Sequence, residues 1–135
     1  MTPFSLKIVT PDGLIFDGQA EELIVRPSTG DMGILAGHIK CVAPLGKGRA
    51  VVIIDGKRRY GACIGGMVSV VNGAVNLVPT TFEWAEDIDV KRAELSAERA
   101  KEVIGNKDAS DADIRLAQAR LKRALIRSNV AKPRA

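Results

Sequence analysis

Hydrophobic residues follow two different periods along the chain, and the period changes near Trp84. From Phe4 onward, apolar and polar residues alternate in short runs separated by turn sequences, a pattern typical of strands that bury one face. After Trp84 the apolar positions recur every three or four residues, as they do in an amphipathic helix. The pattern therefore predicts a β domain over residues 1–84 and a helical domain over residues 85–135.

Turn sequences mark where the predicted strands reverse. Asp-Gly at 55–56 and Asn-Gly at 72–73 stand between β-branched runs, which is the strongest short-range signal for a two-residue hairpin. Pro-Asp-Gly at 11–13 predicts a further turn. Another pair of strands is expected within residues 14–25. Short strands with turns about every ten residues predict a β-sandwich or a barrel.

Two amphipathic helices joined by a short connection are predicted after Trp84. Gly105 is expected as the C′ residue of the first, and Ser110 with Asp113 resembles a capping box at the start of the second. The apolar stripes comprise Val90, Ala93, Ala97, Ala100 and Ile104, then Ile114, Ala117, Leu121, Ala124 and Leu125. Because alanine buries little area, we expect a weakly held antiparallel hairpin that can change conformation.

Composition excludes several classes of function. Cys41 and Cys63 have no ligand spacing and no close partner, so they predict neither zinc nor a disulfide, and they fit a reducing compartment. The single histidine, His38, and the absence of nucleophile, P-loop and paired-carboxylate motifs argue against an enzyme. The sequence shows no signal peptide and no apolar run of about 18 residues, so direct membrane insertion is not expected.

Positive charge is concentrated at the end of the chain. The formal net charge is +4, and residues 108–135 contain seven basic and three acidic residues. Arg120, Arg123 and Arg127 share one helix face, where they could bind phosphates or an acidic protein surface; a solvated face is the alternative. Nucleic-acid binding is disfavoured, because aromatic residues make up only 4% of the chain and do not interleave with the arginines.

A glycine-rich segment surrounds Ile34 and Leu35. Glycines stand at 30, 33 and 37, and His38 follows directly. The segment is either an ordinary β-loop or a partner-facing tip with two exposed apolar side chains. His38 is expected in a turn or at the surface.

Four segments, taken in order and spacing, resemble the epsilon subunit of F-type ATP synthase. They are Val-Thr-Pro-Asp-Gly-Leu-Ile-Phe-Asp-Gly at 9–18, Gly-Asp-Met-Gly-Ile-Leu-Ala-Gly-His at 30–38, Ile-Gly-Gly-Met-Val-Ser-Val at 64–70 and Ala-Glu-Asp-Ile-Asp-Val-Lys-Arg-Ala at 85–93. The resemblance covers nearly the whole chain. It implies an N-terminal ten-stranded β-sandwich followed by a C-terminal antiparallel two-helix hairpin.

This resemblance implies a non-catalytic central-stalk subunit, or rotor subunit, of a proton- or sodium-translocating ATP synthase. The sandwich would join the gamma subunit to the membrane c-ring. The hairpin would fold onto the sandwich or extend along gamma toward the alpha and beta subunits, where it inhibits ATP hydrolysis. The implied location is the cytoplasmic side of a bacterial cell membrane, as a peripheral protein.

The resemblance also implies regulatory binding of ATP by the folded hairpin, with any need for Mg²⁺ left open. Members of the bacillus type bind ATP through an Ile/Leu-Asp-x-x-Arg-Ala motif, which residues 88–93 match. The implied ATP-binding residues are Glu83, Ile88, Asp89, Arg92, Ala93, Arg99, Arg123 and Arg127. Arginines from both helices would neutralise the phosphates, so that ATP stabilises the closed hairpin. The alternative is that Asp89 is only an N-cap and Arg92 a solvated residue.

Two further sets of contact residues follow from the resemblance. Contact with the rotor ring is expected from Asp31, Ile34, Leu35 and His38, and inhibitory contact with the beta subunit from Arg115, Arg120, Lys122, Arg123 and Arg127. Ala36 stands where the family usually has proline, and the segment from Gly105 to Ser110 could shorten the first helix. The alternative function is an ATP-sensing module whose main role is nucleotide-dependent switching.

Overall fold

The computed structural model describes residues 2–132, which form ten strands and two α-helices. The strands are β1 Phe4–Thr10, β2 Gly13–Ala20, β3 Glu22–Val25, β4 Met32–Ile34, β5 Cys41–Pro44, β6 Lys47–Ile54, β7 Lys57–Ile64, β8 Met67–Val71, β9 Ala74–Val78 and β10 Thr81–Trp84. A 3₁₀ turn, Ala85–Asp87, precedes helices α1, Val90–Ile104, and α2, Asp111–Ala131. The chain divides between Trp84 and Ala85 into two compact units. The predicted helical domain extends to residue 135, which lies outside the described residues.

The ten strands form two five-stranded sheets, and this confirms the predicted β-sandwich. The strand orders are β2-β1-β9-β8-β5 and β10-β7-β6-β3-β4. Neighbouring strands are antiparallel except β1 and β9, which are parallel. Alternate residues of both sheets are removed from water in one apolar core, whose fully buried members include Leu6, Ile8, Leu23 and Leu77. The alternating sequence pattern forms a sandwich because each sheet has one apolar face to bury.

The two predicted hairpin turns are confirmed. Asp55 and Gly56 connect β6 to β7 with φ of 50° and 76°, and Asn72 and Gly73 connect β8 to β9 with φ of 52° and 78°. Positive φ at both central residues is the geometry that matches the twist of paired strands, and Asp, Asn and Gly tolerate it best. The Gly56 N–H also donates to Glu21 Oε1 at 2.6 Å, which fixes the tip of the β6–β7 hairpin.

Two strands do occur within residues 14–25, but they do not pair with each other. β2 pairs with β1 in the first sheet, whereas β3 pairs with β4 and β6 in the second. Glu21 is the single residue between them, and its N–H donates to the Ile53 carbonyl at 2.7 Å. The chain therefore changes sheets at Glu21, a step that alternation of apolar residues cannot reveal, because both strands bury one face of the same core.

Side-chain caps define the starts of both helices. Asp89 Oδ1 accepts from the Arg92 N–H at 3.0 Å, and Ser110 Oγ accepts from the Asp113 N–H at 3.1 Å. The prediction for Gly105 was wrong by one position, because it is the C-cap itself, with an ordinary φ of −81°. Its N–H still donates to the Lys101 carbonyl at 3.0 Å, so the helix ends without a left-handed residue.

Small side chains fill the seam of the helical hairpin, in which α1 packs against α2. The buried residues of α1 are Ala93, Ala97 and Ala100, and those of α2 are Ala117, Ala124 and Val130. Two larger residues expected on the stripes lie outside it, since Val90 is 40% and Leu125 is 50% exposed. Each buried methyl or methylene group contributes about 0.8 kcal/mol, so an alanine seam holds the helices less firmly than a leucine seam would.

Candidate functional site: a basic groove on the helical hairpin

A groove of about 320 Å³ lies along the helical hairpin. Its lining residues, here called the basic groove, are Arg92, Leu95, Ser96, Arg99, Ala100 and Val103 of α1 and Arg120 of α2. Arg92 and Arg99 are seven residues apart, so they project from the same face of α1 two turns apart. Arg120 is the cation that α2 adds.

The charged residues that line the groove are all positive. No carboxylate is among its lining residues. Within residues 2–132, the guanidinium groups of Arg92, Arg99 and Arg120 form no ion pair or hydrogen bond. All three side chains are exposed, and between them lie apolar residues, including Leu95 at 51% exposure. Three unneutralised cations around an apolar strip attract a ligand that is strongly anionic at one end.

Asp89 lies one turn before the groove and is the N-cap of α1, as the alternative interpretation predicted. Its Oδ1 accepts the Arg92 N–H and so begins α1. The second carboxylate oxygen, Oδ2, has no hydrogen-bond partner in the described part of the chain. Capping and ligand binding are therefore compatible, because capping uses only one of the two oxygens.

The structure gathers only some of the residues predicted to bind ATP. Arg92 and Arg99 share the basic groove, whereas Arg123 and Arg127 are half-buried positions of α2 that do not line it. Ile88 and Ala93 are buried, with 8% and 5% of their surfaces exposed. Glu83 is half-buried on β10 of the sandwich unit.

The sequence interpretation placed Arg120 on an arginine face that could bind phosphates or an acidic protein surface, but it did not count Arg120 among the implied ATP-binding residues. The register of α1 against α2 is the feature from which the place of Arg120 in the groove could have been predicted. Leu95 and Arg120 lie at equal distances in sequence from the connection between the helices, Leu95 before the end of α1 and Arg120 after the start of α2. Residues equidistant from the connection of an antiparallel pair lie opposite each other, so Arg120 is expected beside Leu95, between Arg92 and Arg99 along the groove.

A second cavity, also about 320 Å³, lies where the two helices connect. It shares Val103 and Arg120 with the basic groove, and it adds the carboxylates of Asp108 and Asp113. The side of the hairpin is thus positive along the helices and acidic at the connection. An anion is therefore favoured in the basic groove, beside Arg92 and Arg120, and disfavoured at the connection between the helices.

The glycine-rich segment of the sandwich differs from its prediction at Ile34. Ile34 ends β4, pairs with Leu23 of β3 and is fully buried, so it is not one of two exposed apolar residues. Leu35, 48% exposed, is the apolar side chain that this segment does present. Asp31 is exposed and accepts from Arg26 Nε at 2.9 Å, and partly exposed His38 has Nδ1 2.9 Å from the Ile39 carbonyl.

The outer surface of the first sheet carries an apolar strip that the sequence interpretation did not find. Met67 of β8 lies between Pro44 of β5 and Val78 of β9 in the ladder. Met67 and Val78 are 49% and 47% exposed, and Val42 on the edge strand β5 is 57% exposed. Ile39, just before β5, is 77% exposed. Exposed apolar side chains on neighbouring strands are typical of a protein interface.

No three acidic, histidine or cysteine side chains converge as metal ligands among residues 2–132. None of the helices described is long and apolar enough to cross a bilayer.

Comparison with known proteins accounts for nearly the whole chain. Residues 3–85 match the family model for the ATP synthase delta/epsilon chain β-sandwich domain, and residues 86–132 match that for the long α-helix domain of the same chain. The ATP synthase epsilon chain of Bacillus velezensis is 40% identical over 131 residues, which cover 97% of this chain and 98% of the relative. The epsilon chain of Bacillus subtilis is 43% identical over 115 residues, which cover 85% and 86%.

Solved structures share the fold. A chain from the Euglena gracilis mitochondrial ATP synthase, solved as OSCP/F1/c-ring, superposes with a TM-score of 0.78 at 24% identity, covering 90% of this chain and 77% of that one. A chain from the central stalk and c-ring of the Tetrahymena thermophila mitochondrial enzyme gives 0.64 at 11% identity, covering 95% and 96%.

A β-sandwich followed by a helical arm, each matched by a model of the same family, defines the class of protein. The chain belongs to the ATP synthase delta/epsilon chain family. Its similar bacterial relatives are epsilon chains, so it is a subunit of ATP synthase and not an enzyme in its own right.

Proposed function

We propose that this chain is a central-stalk subunit of an F-type ATP synthase whose helical hairpin inhibits ATP hydrolysis and is held closed by ATP. The observation that carries the proposal is the basic groove, in which unpaired arginines of two weakly packed helices line one cavity. The family membership supplies the setting, since the relatives are epsilon chains of ATP synthases.

The two helices form an element that can adopt two arrangements. The seam is built mainly of alanine, so the contacts that close it are individually small. A ligand shifts such an equilibrium only by its difference in affinity for the two arrangements. ATP bound to Arg92 and Arg99 of α1 and to a cation of α2 contacts both helices only while the hairpin is closed. It therefore favours that state.

The open hairpin is the inhibitory state in this proposal. Arg115 and Lys122 are exposed on α2, and Arg123 is half-buried there. In the complete enzyme these side chains, together with Arg120 and Arg127, would meet acidic surface on the beta subunit, with the alpha subunit and gamma alongside. Attraction between exposed charges accelerates such an encounter and weakens with salt.

The sandwich unit would provide the permanent attachment. Candidate contacts for the gamma subunit and the membrane c-ring are its apolar strip on β5, β8 and β9, the exposed residues Asp31 and Leu35, and the partly exposed His38. This arrangement makes the chain a peripheral protein on the cytoplasmic side of a bacterial membrane. It transmits ion-driven rotation and performs no chemistry itself.

Calorimetric titration of the purified full-length chain with ATP tests the nucleotide-binding part of the proposal. Saturable binding is expected, and Arg92→Gln should weaken it about tenfold, since a charge-assisted hydrogen bond is lost. Lys101→Gln is the matched control, because it removes one positive charge from an exposed position of α1 outside the groove. Absence of ATP binding to the wild type, or equal affinities for all three proteins, would contradict the proposal.

The basic groove also favours a second candidate, an ATP-sensing module whose main role is to report nucleotide through hairpin closure. The two candidates differ in the effect of the chain on ATP hydrolysis by the assembled subunits. A sensor binds ATP but leaves hydrolysis unchanged, whereas the proposed inhibitor lowers it when its hairpin is open.

A further inference from the structure

Arg26 and Asp31 form an exposed ion pair across the loop that connects β3 to β4. Arg26 Nε lies 2.9 Å from Asp31 Oδ1, and the two side chains are 58% and 65% exposed. Within residues 2–132, the other N–H groups of the guanidinium and the Oδ2 atom of Asp31 form no hydrogen bond. The pair therefore presents unused donors beside an unused acceptor.

The loop that carries this pair is fixed to the sandwich. The Gly30 N–H donates to the Pro27 carbonyl at 3.2 Å, and the Gly46 N–H donates to the Arg26 carbonyl at 2.9 Å. The stem of Arg26 lies against Gly48 of β6, where an added Cβ would be 3.1 Å from Arg26 Cδ. Because the pair is held in place before any partner arrives, it loses little freedom on binding.

We propose that the Arg26–Asp31 pair is a docking site for an amide group of the membrane c-ring, with Arg26 as the residue that determines specificity. This inference rests on the proposed attachment of the sandwich to the ring. An amide of an Asn or Gln side chain or of a peptide bond matches the pair. Its carbonyl accepts from the guanidinium, and its N–H donates to the free oxygen of Asp31. Leu35, 48% exposed, adds an apolar contact from the same segment.

Arg26 changes the kind of partner that Asp31 can recognise. An unpaired carboxylate favours a cation, whereas a carboxylate already paired with a guanidinium has little net charge left to attract one. Docking through the pair should therefore depend only weakly on salt. An exposed ion pair also adds little to folding stability, so variants at either position should unfold at the same temperature as the wild type.

Binding of the full-length chain to a detergent-solubilised c-ring that carries its gamma subunit tests the inference, with gamma alone as the reference. Arg26→Gln removes the charged donors, and Asp31→Asn replaces the free acceptor by a donor. Each should weaken binding to the ring complex about fivefold and leave binding to gamma alone unchanged. The double variant should be weaker than the wild type by no more than about tenfold, because either single change already breaks the paired contact.

Lys57→Gln is the matched control for the loss of one positive charge. Lys57 is exposed and pairs with Ile54 at the end of β6, whereas Gly48, beside Arg26, stands near its start. Its affinity for the ring complex should stay within about twofold of the wild type.

The contrary outcomes separate this inference from the proposed function. If Arg26→Gln tightens binding and steepens its salt dependence, Asp31 meets a cation and the amide site is refuted. Single losses that multiply in the double variant, or wild-type affinity in both single variants, would show that the pair is not the docking site although attachment stands. Equal weakening toward gamma alone would place the contact on gamma. If the wild type gains no affinity from the ring, the proposed attachment fails together with the inference.

Discussion

Asp89 combines a structural contact with a proposed ligand contact, and two substitutions can separate them. Asp89→Ala removes the cap of α1 and should lower the free energy of unfolding of the helical unit by about 1 kcal/mol. Asp89→Asn keeps a capping oxygen, so it should cost little stability, but it removes the negative charge. Both should weaken ATP binding if the free oxygen accepts from the nucleotide. Urea unfolding and calorimetry measure the two effects.

The contrast between the two variants decides the role of Asp89. An Asp89→Asn protein with wild-type ATP affinity and wild-type stability would show that Asp89 serves only to begin the helix. An Asp89→Asn protein that is stable but binds ATP weakly would assign the carboxylate to the ligand.

Cys63 makes stability depend on pH in the alkaline range. Burial raises the pKa of its thiol from 9.0 to about 12 in the folded chain. Below pH 9 the thiol is neutral in both states and its contribution is fully present. As pH rises from 9 toward 12, the unfolded chain ionises first and stability is lost. Between pH 8 and pH 10 the wild type should lose about 1 kcal/mol more than Cys63→Ala. Denaturation at the two pH values checks this, and parallel losses would contradict it.

The candidate site was predictable from the sequence only in part, for reasons visible at single residues. Arg92 lies in the local motif at 88–93 that the family resemblance singles out, and Arg99 is implied by the same resemblance. Arg120 depends on the register of one helix against the other, which no local pattern shows. The glycines around Ile34 are compatible with either an ordinary β-loop or an exposed tip, and its pairing with Leu23 places it in the core. Contacts between segments distant in sequence determined both outcomes.

At the scale of elements, Gly61 of β7 shows how one strand depends on the next. A Cβ at this position would overlap the ring of Phe82, which stands edge-to-face against Trp84 with centroids 4.9 Å apart. The guanidinium of Arg59 lies 3.8 Å from the centroid of Trp84, which restricts that ring further. Gly61→Ala should therefore destabilise the sandwich by about 1–3 kcal/mol, the usual cost of overpacking.

Gly33→Ala is the control for this substitution. A Cβ there would meet no atom closer than 3.6 Å, and the residue also lies in a strand of the second sheet. Chemical denaturation should show a loss for Gly61→Ala well beyond that for Gly33→Ala. Equal losses of stability in the two variants would mean that the Phe82 ring moves aside at little cost and that the predicted overlap is not destabilising.

The strands and helices were more predictable than their arrangement. Turn sequences at 55–56 and 72–73 determine φ locally, and helical caps at Asp89 and Ser110 are local hydrogen bonds, so each could be found from neighbouring residues. The change of sheet at Glu21 and the parallel pairing of β1 with β9 are global properties. Both result from burying the two sheets against one common core, and neither leaves a periodic pattern in the sequence.

At the scale of the whole molecule, we propose that the sandwich unit provides attachment and the helical unit provides regulation. The positive charges of α2 then have two separable roles, binding ATP in the basic groove and contacting the beta subunit. Arg115 and Lys122 lie outside the basic groove, so Arg115→Gln/Lys122→Gln should weaken inhibition of the assembled subunits severalfold while keeping ATP affinity. Inhibition by this variant should also depend less steeply on salt than inhibition by the wild type. Hydrolysis assays at low and moderate salt measure both changes, and unaltered inhibition would refute an electrostatic contact.

The most direct test of the central claim is the rate of ATP hydrolysis by reconstituted alpha, beta and gamma subunits, with and without this chain, over a range of ATP concentrations. We predict that the chain lowers the rate at low ATP and that inhibition fades as ATP closes the hairpin, with the midpoint moved to higher ATP by Arg92→Gln. Equal rates with and without the bound chain at every ATP concentration would contradict the claim that its helices restrain the enzyme.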